Sequence, residues 1–356
     1  VAQAAYRAVS TLSSPGRGSH KFAFRAAETA YNCREAAAKL FHSDNPENIV
    51  FCQNATHALN IAIKSMARAG DTVVTSGYEH NAVTRPLHAL GARVVPAEAP
   101  LFDRAACLSA FDEALKKGAR LCVVNHVSNV FGFIQPVYEI AELCRKRSIP
   151  LIIDASQSAG ILDINAEALG AAFIAMPGHK GLYGPQGTGL LICSSRPKTL
   201  IEGGTGSNSR QPEMPDFLPD RLEAGTHNMP GIAGLKEGLD FINRLGTDRI
   251  LEHEKKLLRH ATNRLRNIRG IKLYASEDEA AQCGVLSIEI EGYAPEEAAM
   301  KLSEKGFALR AGLHCAPQAH KTAGTYQKGT LRMSFSVFNT SKEINKLSHA
   351  LENLDS

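Results

Sequence analysis

Lys180 sits in Gly178-His179-Lys180, just past an apolar run and just before a second glycine-rich stretch, GLYGPQGTG. A lysine at the end of a buried strand is placed to lose hydration, which favours its neutral, nucleophilic form. A surface lysine in a loop is the plain alternative. Asp154 closes the run Leu151-Ile152-Ile153-Asp154 and is followed by Ala155-Ser156-Gln157. An acid at the carboxyl end of a parallel strand faces the ligand crevice, where it can keep a heteroaromatic nitrogen protonated; Asp also caps helices. Phe51-Cys52-Gln53-Asn54-Ala55-Thr56-His57 runs from a strand straight into a helix. The first N–H groups of that helix, at Ala55 and Thr56, suit a phosphate as well as an ordinary cap. His80, in Tyr78-Glu79-His80-Asn81, can lie over a planar ring or rest as a satisfied loop histidine. Asn125-His126-Val127-Ser128-Asn129 ends another strand with more polar groups than a buried strand end carries without partners.

These residues need strands that end together. Short β-rich runs read at 49–52, 72–75, 93–96, 121–125, 151–154, 172–175 and 189–193. Helical stretches alternate with them near 55–68, 80–90, 103–117 and 136–147, after one long helix over 20–41. Alternation with continuous apolar strands predicts a mostly parallel sheet covered by helices on both faces. Residues 202–230 are rich in Gly, Pro and Ser and read as a long loop, a kind that is usually functional. Beyond it, helices are expected at 231–245, 247–268, 295–305 and 341–353, with strands near 271–274, 284–290, 307–310 and 330–335. That mixed order suggests a second, α+β domain.

The 356 residues suffice for two domains of ordinary size. With 44% apolar and 21% charged residues, the composition is that of a soluble globular protein, not a disordered chain. No apolar run approaches the roughly 18 residues of a membrane span. The 40 basic and 36 acidic residues are well mixed and leave a net charge of +4. That balance gives no electrostatic footprint for nucleic acid or an anionic membrane. Eight cysteines are too few for a disulfide scaffold. The nearest pair, Cys107 and Cys122, is 15 residues apart, so there is no Cys-x-x-Cys metal or redox pair. Most lie in apolar runs, as buried free thiols do. The opening residues read as a helix and not as a secretory signal, so a reducing, cytoplasmic setting is expected.

Each pattern is weak alone, but the order is informative: phosphate loop, ring-stacking His, polar strand end, Asp, then Lys 26 residues after Asp154. It resembles the order in fold-type I enzymes that use pyridoxal 5'-phosphate (PLP), and the sequence resembles the class-V aminotransferase superfamily. Arg310-Ala311-Gly312-Leu313-His314-Cys315-Ala316 is similar to the RxGxHCA loop of the cysteine desulfurase branch, which also includes selenocysteine lyases. Leu222-Glu223-Ala224-Gly225-Thr226-His227-Asn228 resembles that family's EAGTxN segment. Leu331-Arg332-Met333-Ser334 with Phe338-Asn339-Thr340 resembles its Arg-containing strand and FNT-type turn. The likeness runs from about residue 16 to the end.

The resemblance implies a homodimeric, PLP-dependent cysteine desulfurase. It would convert L-cysteine to L-alanine and leave a persulfide on Cys315 for a sulfur-acceptor protein. Lys180 would link to PLP and shuttle the Cα proton, His80 would stack on the ring, and Cys315 would take the sulfur. Asp154 would pair with the ring nitrogen, and Gln157 and Asn129 would lie near the ring oxygen, Asn129 also near the substrate. Ala55, Thr56 and His179 would hold the phosphate, joined by the partner subunit's Thr226. Arg332 and Arg310 would bind the substrate carboxylate, a task for a planar fork. No metal, nucleic acid or membrane is expected. The implied fold is α/β: a large PLP-binding domain over 1–230 with a mostly parallel seven-stranded sheet, and a smaller α+β domain over 231–356 carrying the Cys315 loop. Residues 1–15 are expected to pack with the small domain.

Three other readings share this pattern. A selenocysteine lyase acting on L-selenocysteine would need no protein thiol, and an ordinary class-V aminotransferase would leave Cys315 without a task. A binding module built on the fold would not need Lys180, Asp154, His80 and Arg332 together. The sequence also departs from the family. Pro177 replaces a Ser or Thr whose hydroxyl would touch the phosphate, a loss of about 1 kcal/mol. His57 replaces a Glu, Leu313 replaces one His of an HHC form, and the family's opening DNAAT-like segment has no counterpart.

Overall fold

The computed structural model describes residues 1–16 and 18–354. Helices α1 (Ala2–Thr11) and α2 (Lys21–Phe41) come first. Then follow β1 (Ile49–Cys52), α3 (Ala55–Met66), β2 (Thr72–Ser76), α4 (Asn81–Ala89), β3 (Arg93–Ala97) and α5 (Arg104–Leu115). The chain continues through β4 (Leu121–Asn125), α6 (Val137–Lys146), β5 (Leu151–Asp154), α7 (Ala166–Leu169), β6 (Phe173–Pro177) and β7 (Gly189–Cys193). These seven strands form one sheet in the order β1-β7-β6-β5-β4-β2-β3. Strands β3, β2, β4, β5 and β6 run parallel; β7 joins them antiparallel, and β1 at the edge, antiparallel to β7, runs again in the common direction. The mostly parallel seven-stranded sheet expected from the sequence is therefore present.

The apolar runs are continuous because both faces of this sheet are covered. Ile152 and Val123 enter one buried cluster with Leu59, Ile61 and Ile63 of α3. Their neighbours Ile153 and Val124 enter the opposite cluster with Phe41 of α2, Phe111 of α5 and Ile140 of α6. Alternate residues thus serve alternate faces.

After the long connection come α8 (Met229–Leu245), α9 (Thr247–Leu265), β8 (Ile271–Tyr274), β9 (Val285–Ile290), α10 (Pro295–Glu304), β10 (Arg310–Gly312), α11 (Pro317–Thr322), β11 (Thr330–Ser334) and α12 (Ser341–Glu352). Four strands make a second, antiparallel sheet in the order β10-β11-β9-β8. Its own core includes Leu257, Leu286, Leu331 and Ile344. Helix α8 packs against α1 and α2, and its Leu235, Leu239 and Ile242 join the large-sheet core. No helix among the described residues is long and apolar enough to cross a membrane.

One strand sits later than the sequence suggests. Residues 307–309 are unpaired and β10 begins at Arg310, because the ladder to β11 runs only from Arg310–Arg332 to Gly312–Thr330. Phe307 and Leu309 still pack on the small core, which accounts for their apolar character. The two sheets meet where Ser287 Oγ donates to the Val130 carbonyl at 2.6 Å and Gln282 Nε2 lies 2.9 Å from the Phe131 carbonyl.

Candidate active site

The carboxyl ends of β2, β4, β5 and β6 face the small sheet. Between them lies a cavity of about 220 Å³. Ala55, Thr56, His80, Asn129, Asp154, Gln157, His179, Lys180 and Arg310 all line it. Sequence-distant residues thus converge at strand ends, as the sheet topology requires.

Each arrives for a local reason. Asn54 caps α3, its side chain accepting from His57 N–H at 2.9 Å, so the helix opens at Ala55 and Thr56 against the cavity. This end attracts anions through its N–H groups and dipole. Asp154, buried at the end of β5, accepts from Ser156 N–H at 2.9 Å. His80 caps α4, Nδ1 accepting from Ala82 N–H at 3.0 Å, which fixes its ring orientation. Burial holds the His80 pKa below the usual histidine value, against the opposing pull of Asp154. Gln157 and Lys180 lie in neighbouring loops that interlock through glycines. A Cβ on Gly181 would stand 2.4 Å from the Ala159 carbonyl oxygen, and one on Gly160 would stand 2.2 Å from that of Gly181.

Lys180 is accessible from the cavity, but protein crowds around it. That desolvation holds its pKa below the usual lysine value; Asp154 opposes the shift, and Arg332 and Arg310 add to it. A larger neutral fraction makes the amine a better nucleophile and base. Burial also lowers the neighbouring His179, with Lys180 contributing.

Cys315 and Arg332 stand one contact further out. Arg310 and Arg332 face each other across the β10–β11 ladder. Arg310 Nη2 lies 3.3 Å from Cys315 Sγ, and Arg332 Nη1 donates to the Asn129 carbonyl at 2.7 Å. Burial, with the charge of Arg310 beside it, brings Arg332 down to about 10. Two guanidinium groups so close form a site for a carboxylate. Of the eight cysteines Cys315 alone is exposed; the other seven are buried free thiols. His314 and Cys315 both have left-handed backbone, with φ 51° and 59°, a strained arrangement that neighbours must hold. Asn81 N–H donates to the Cys315 carbonyl at 2.7 Å, and Asn129 Nδ2 to the His314 carbonyl at 2.8 Å. The buried His314 ring stacks on His320 at 5.6 Å and bonds the Thr330 carbonyl through Nε2 at 3.1 Å. Burial pushes His314 down to about 3, so it stays neutral and serves as a fixed support.

Thr226 is not brought to this cavity within the chain. It lines a separate pocket of about 180 Å³ with Phe51, His57 and Glu223. Glu223 anchors that loop: it binds Arg34 Nη2 at 2.5 Å, His227 Nε2 at 2.5 Å and Phe51 N–H at 2.7 Å. Two residues beside the cavity, present in the sequence motifs, were given no role of their own there. Asn125 lines it, and Glu79, fully buried behind it, accepts from Asn125 N–H at 2.9 Å. Their only sequence signal was position, each at or just past a strand end.

An anion-binding helix end, a buried carboxylate, an imidazole and a lysine of depressed pKa in one cavity match a phosphorylated, cationic aromatic aldehyde. The buried Asn129 Oδ1 has no partner among the described residues, a further polar atom left for such a molecule. PLP fits this donor set. The class-V aminotransferase family model matches residues 2–347. The chain belongs to this family, whose members are PLP-dependent enzymes. It is 34% identical, over 95% of its length and 87% of the relative's, to a protein of Methanothermobacter thermautotrophicus named "probable cysteine desulfurase". A protein of the same name from Mycolicibacterium paratuberculosis is 32% identical over 95% of the chain, which spans 50% of that longer relative. Among solved class-V structures, the apo cysteine desulfurase of Thermococcus onnurineus NA1 superposes with a TM-score of 0.89. It is 29% identical, with 99% of this chain and 91% of that one covered. The family match begins at residue 2, earlier than the sequence motifs reached, because α1 carries no motif.

Proposed function

We propose that this chain is a PLP-dependent cysteine desulfurase that converts L-cysteine to L-alanine and holds the sulfur as a persulfide on Cys315. The observation that carries the proposal is the Cys315 loop: the one exposed thiol lies 3.3 Å from Arg310 and is tied through Asn81 to His80. Ala55, Thr56 and His179 would hold the PLP phosphate, Asp154 would face the ring nitrogen, Gln157 and Asn129 the ring oxygen, and Lys180 would anchor the aldehyde. When bound, PLP supplies an electron-withdrawing ring that stores the electron pair left at Cα.

The protein does the rest. Arg332 and Arg310 seat the substrate carboxylate, which aims the substrate thiol at the Cys315 loop. Lys180 Nζ would take the Cα proton; its lowered pKa leaves it partly neutral for that work. His80 covers one face of the ring. Cys315 Sγ, exposed and held 3.3 Å from Arg310 Nη2, attacks the substrate sulfur as its proton passes to solvent. The substrate's C–S bond breaks, its electron pair stays with the substrate Cβ, Cβ takes a proton, and Lys180 returns a proton to Cα to complete alanine. The persulfide on Cys315, open to solvent, then passes its outer sulfur to an acceptor thiol, in keeping with thiol–disulfide chemistry.

The loop around Thr226, distant from the chain's own cavity, supports a homodimer in which it completes the partner's phosphate site. We place the join of the two domains at Gly246, between α8 and α9, since α8 packs with the large sheet. Seven buried free thiols suit the cytoplasm. The test is alanine release by the PLP-loaded enzyme. Cys315→Ala should lower turnover of L-cysteine about 100-fold or more, the scale of losing a catalytic nucleophile, and leave L-selenocysteine turnover far less affected. Equal loss on both substrates would make Cys315 structural. No loss, with selenocysteine strongly preferred by the wild type, would make the enzyme a selenocysteine lyase.

A further inference from the structure

Ser76 Oγ carries one proton but lies within reach of two acceptor atoms, Glu79 Oε1 at 2.5 Å and Asn125 Oδ1 at 3.2 Å. The Asn125 amide cannot be turned to relieve this, because its Nδ2 donates to the Tyr78 carbonyl at 2.8 Å and its Oδ1 accepts from Gln135 Nε2. Tyr78 N–H also donates to Ser76 Oγ, at 3.1 Å. The count closes if Glu79 holds a proton. The acid then donates to Ser76 Oγ, Ser76 donates to Asn125 Oδ1, and both Ser76 lone pairs are used.

We propose that Glu79 is a neutral carboxylic acid in the working enzyme and a positioning residue for the cavity. Through Ser76 and Asn125 it locks the ends of β2 and β4 and the turn that delivers His80. Its surroundings agree. Glu79 is fully buried, its Oε2 has no partner among the described residues, and it meets the Ser76 hydroxyl and the backbone N–H groups of Asn125 and Ser76, with no cation bonded to it among the described residues. An ionised carboxylate placed so would be costly. The charged group facing it is Asp154, at the end of β5, one strand beyond Asn125. Burial, with Asp154 adding, raises Glu79 to about 8.

The catalytic consequence rests on the desulfurase reading; the protonation itself does not. Infrared difference spectra of the PLP-loaded protein at pH 6.5 should show a protonated-carboxyl band in the wild type and in Asp154→Asn. Glu79→Gln should lose the Glu79 part of that band and keep only the part from buried Glu254, so that the wild-type-minus-Glu79→Gln spectrum still carries a protonated-carboxyl band. A wild-type spectrum identical to that of Glu79→Gln in this region would overturn the proposal. In alanine-release assays, wild-type kcat should decline with rising pH about a midpoint near 8. Glu79→Gln should lack that decline and lose about fivefold in kcat, since an amide nitrogen cannot both donate to Ser76 and accept from Asn125. Its KM should hold, and it should remain more active than Glu79→Ala. A decline of the same midpoint in Glu79→Gln would assign the limb elsewhere and refute the positioning role. If wild type releases no alanine from cysteine, the desulfurase reading fails while the infrared result still decides the state of Glu79.

Discussion

At the scale of single residues, one cavity sets several ionisable groups against one another. Lys180 is desolvated and faces Asp154, Arg310 and Arg332, so its charge is easily given up. Asp154 lies buried at the carboxyl end of β5, where the proposed function calls for a partner to the ring nitrogen. Asp154→Asn keeps shape and hydrogen bonding but removes the charge. It should leave PLP bound, seen as a visible absorption band, and lower alanine release roughly 100-fold or more, the scale of losing a partner to developing charge. Near-normal rates in a PLP-saturated variant would reduce Asp154 to a cap for the Ser156 turn. Much of this was legible in sequence because strand-end Asp and strand-end Lys carry their chemistry in their position. The Arg310–Arg332 pairing was not, since a cross-strand register is a tertiary fact. Nor was the protonation of Glu79, which depends on three side chains from two strands and a turn.

At the scale of elements, the proposed phosphate site depends on how closely β7 passes beneath the start of α3. A Cβ at Gly189 would stand 2.9 Å from the Asn54 carbonyl carbon, 3.0 Å from Asn54 Cα and 3.0 Å from the Met176 carbonyl oxygen. All three are backbone atoms, so the helix start itself must move. Gly189→Ala should cost about 1–3 kcal/mol and weaken PLP binding by about tenfold, which corresponds to 1.4 kcal/mol. Titration of the PLP absorbance measures this, and unchanged affinity would detach the α3 end from phosphate binding. The strand–helix alternation that builds this layer could be read directly, since strands buried on both faces leave unbroken apolar runs. Helices α7 and α11 escaped because four and six residues are too short to display a period. The strand placed near 307–310 was shifted because Phe307 and Leu309 pack on the core without joining the ladder.

At the scale of the whole molecule, two sheets with separate cores must keep a fixed relation for the Cys315 loop to meet Lys180. Glu254 of α9 is buried against the turn before β9, where a Cβ on Gly284 would lie 2.6 Å from its Oε2. Burial raises its pKa to about 8. The native state keeps a proton that the unfolded chain releases at the usual carboxyl value. Stability should therefore fall as pH rises from about 4.5 to about 8, by up to about 1.4 kcal/mol per pH unit from this group. Glu254→Gln should flatten that slope in denaturant unfolding of the holoenzyme; an unaltered slope would mean that Glu254 is ionised in place. The account as a whole meets its most direct test in the peptide containing Cys315. Mass spectrometry of the PLP-loaded enzyme, quenched during turnover of L-cysteine and alkylated, should find one added sulfur on that peptide and on no other cysteine. Alanine formed with Cys315 unmodified would contradict the mechanism.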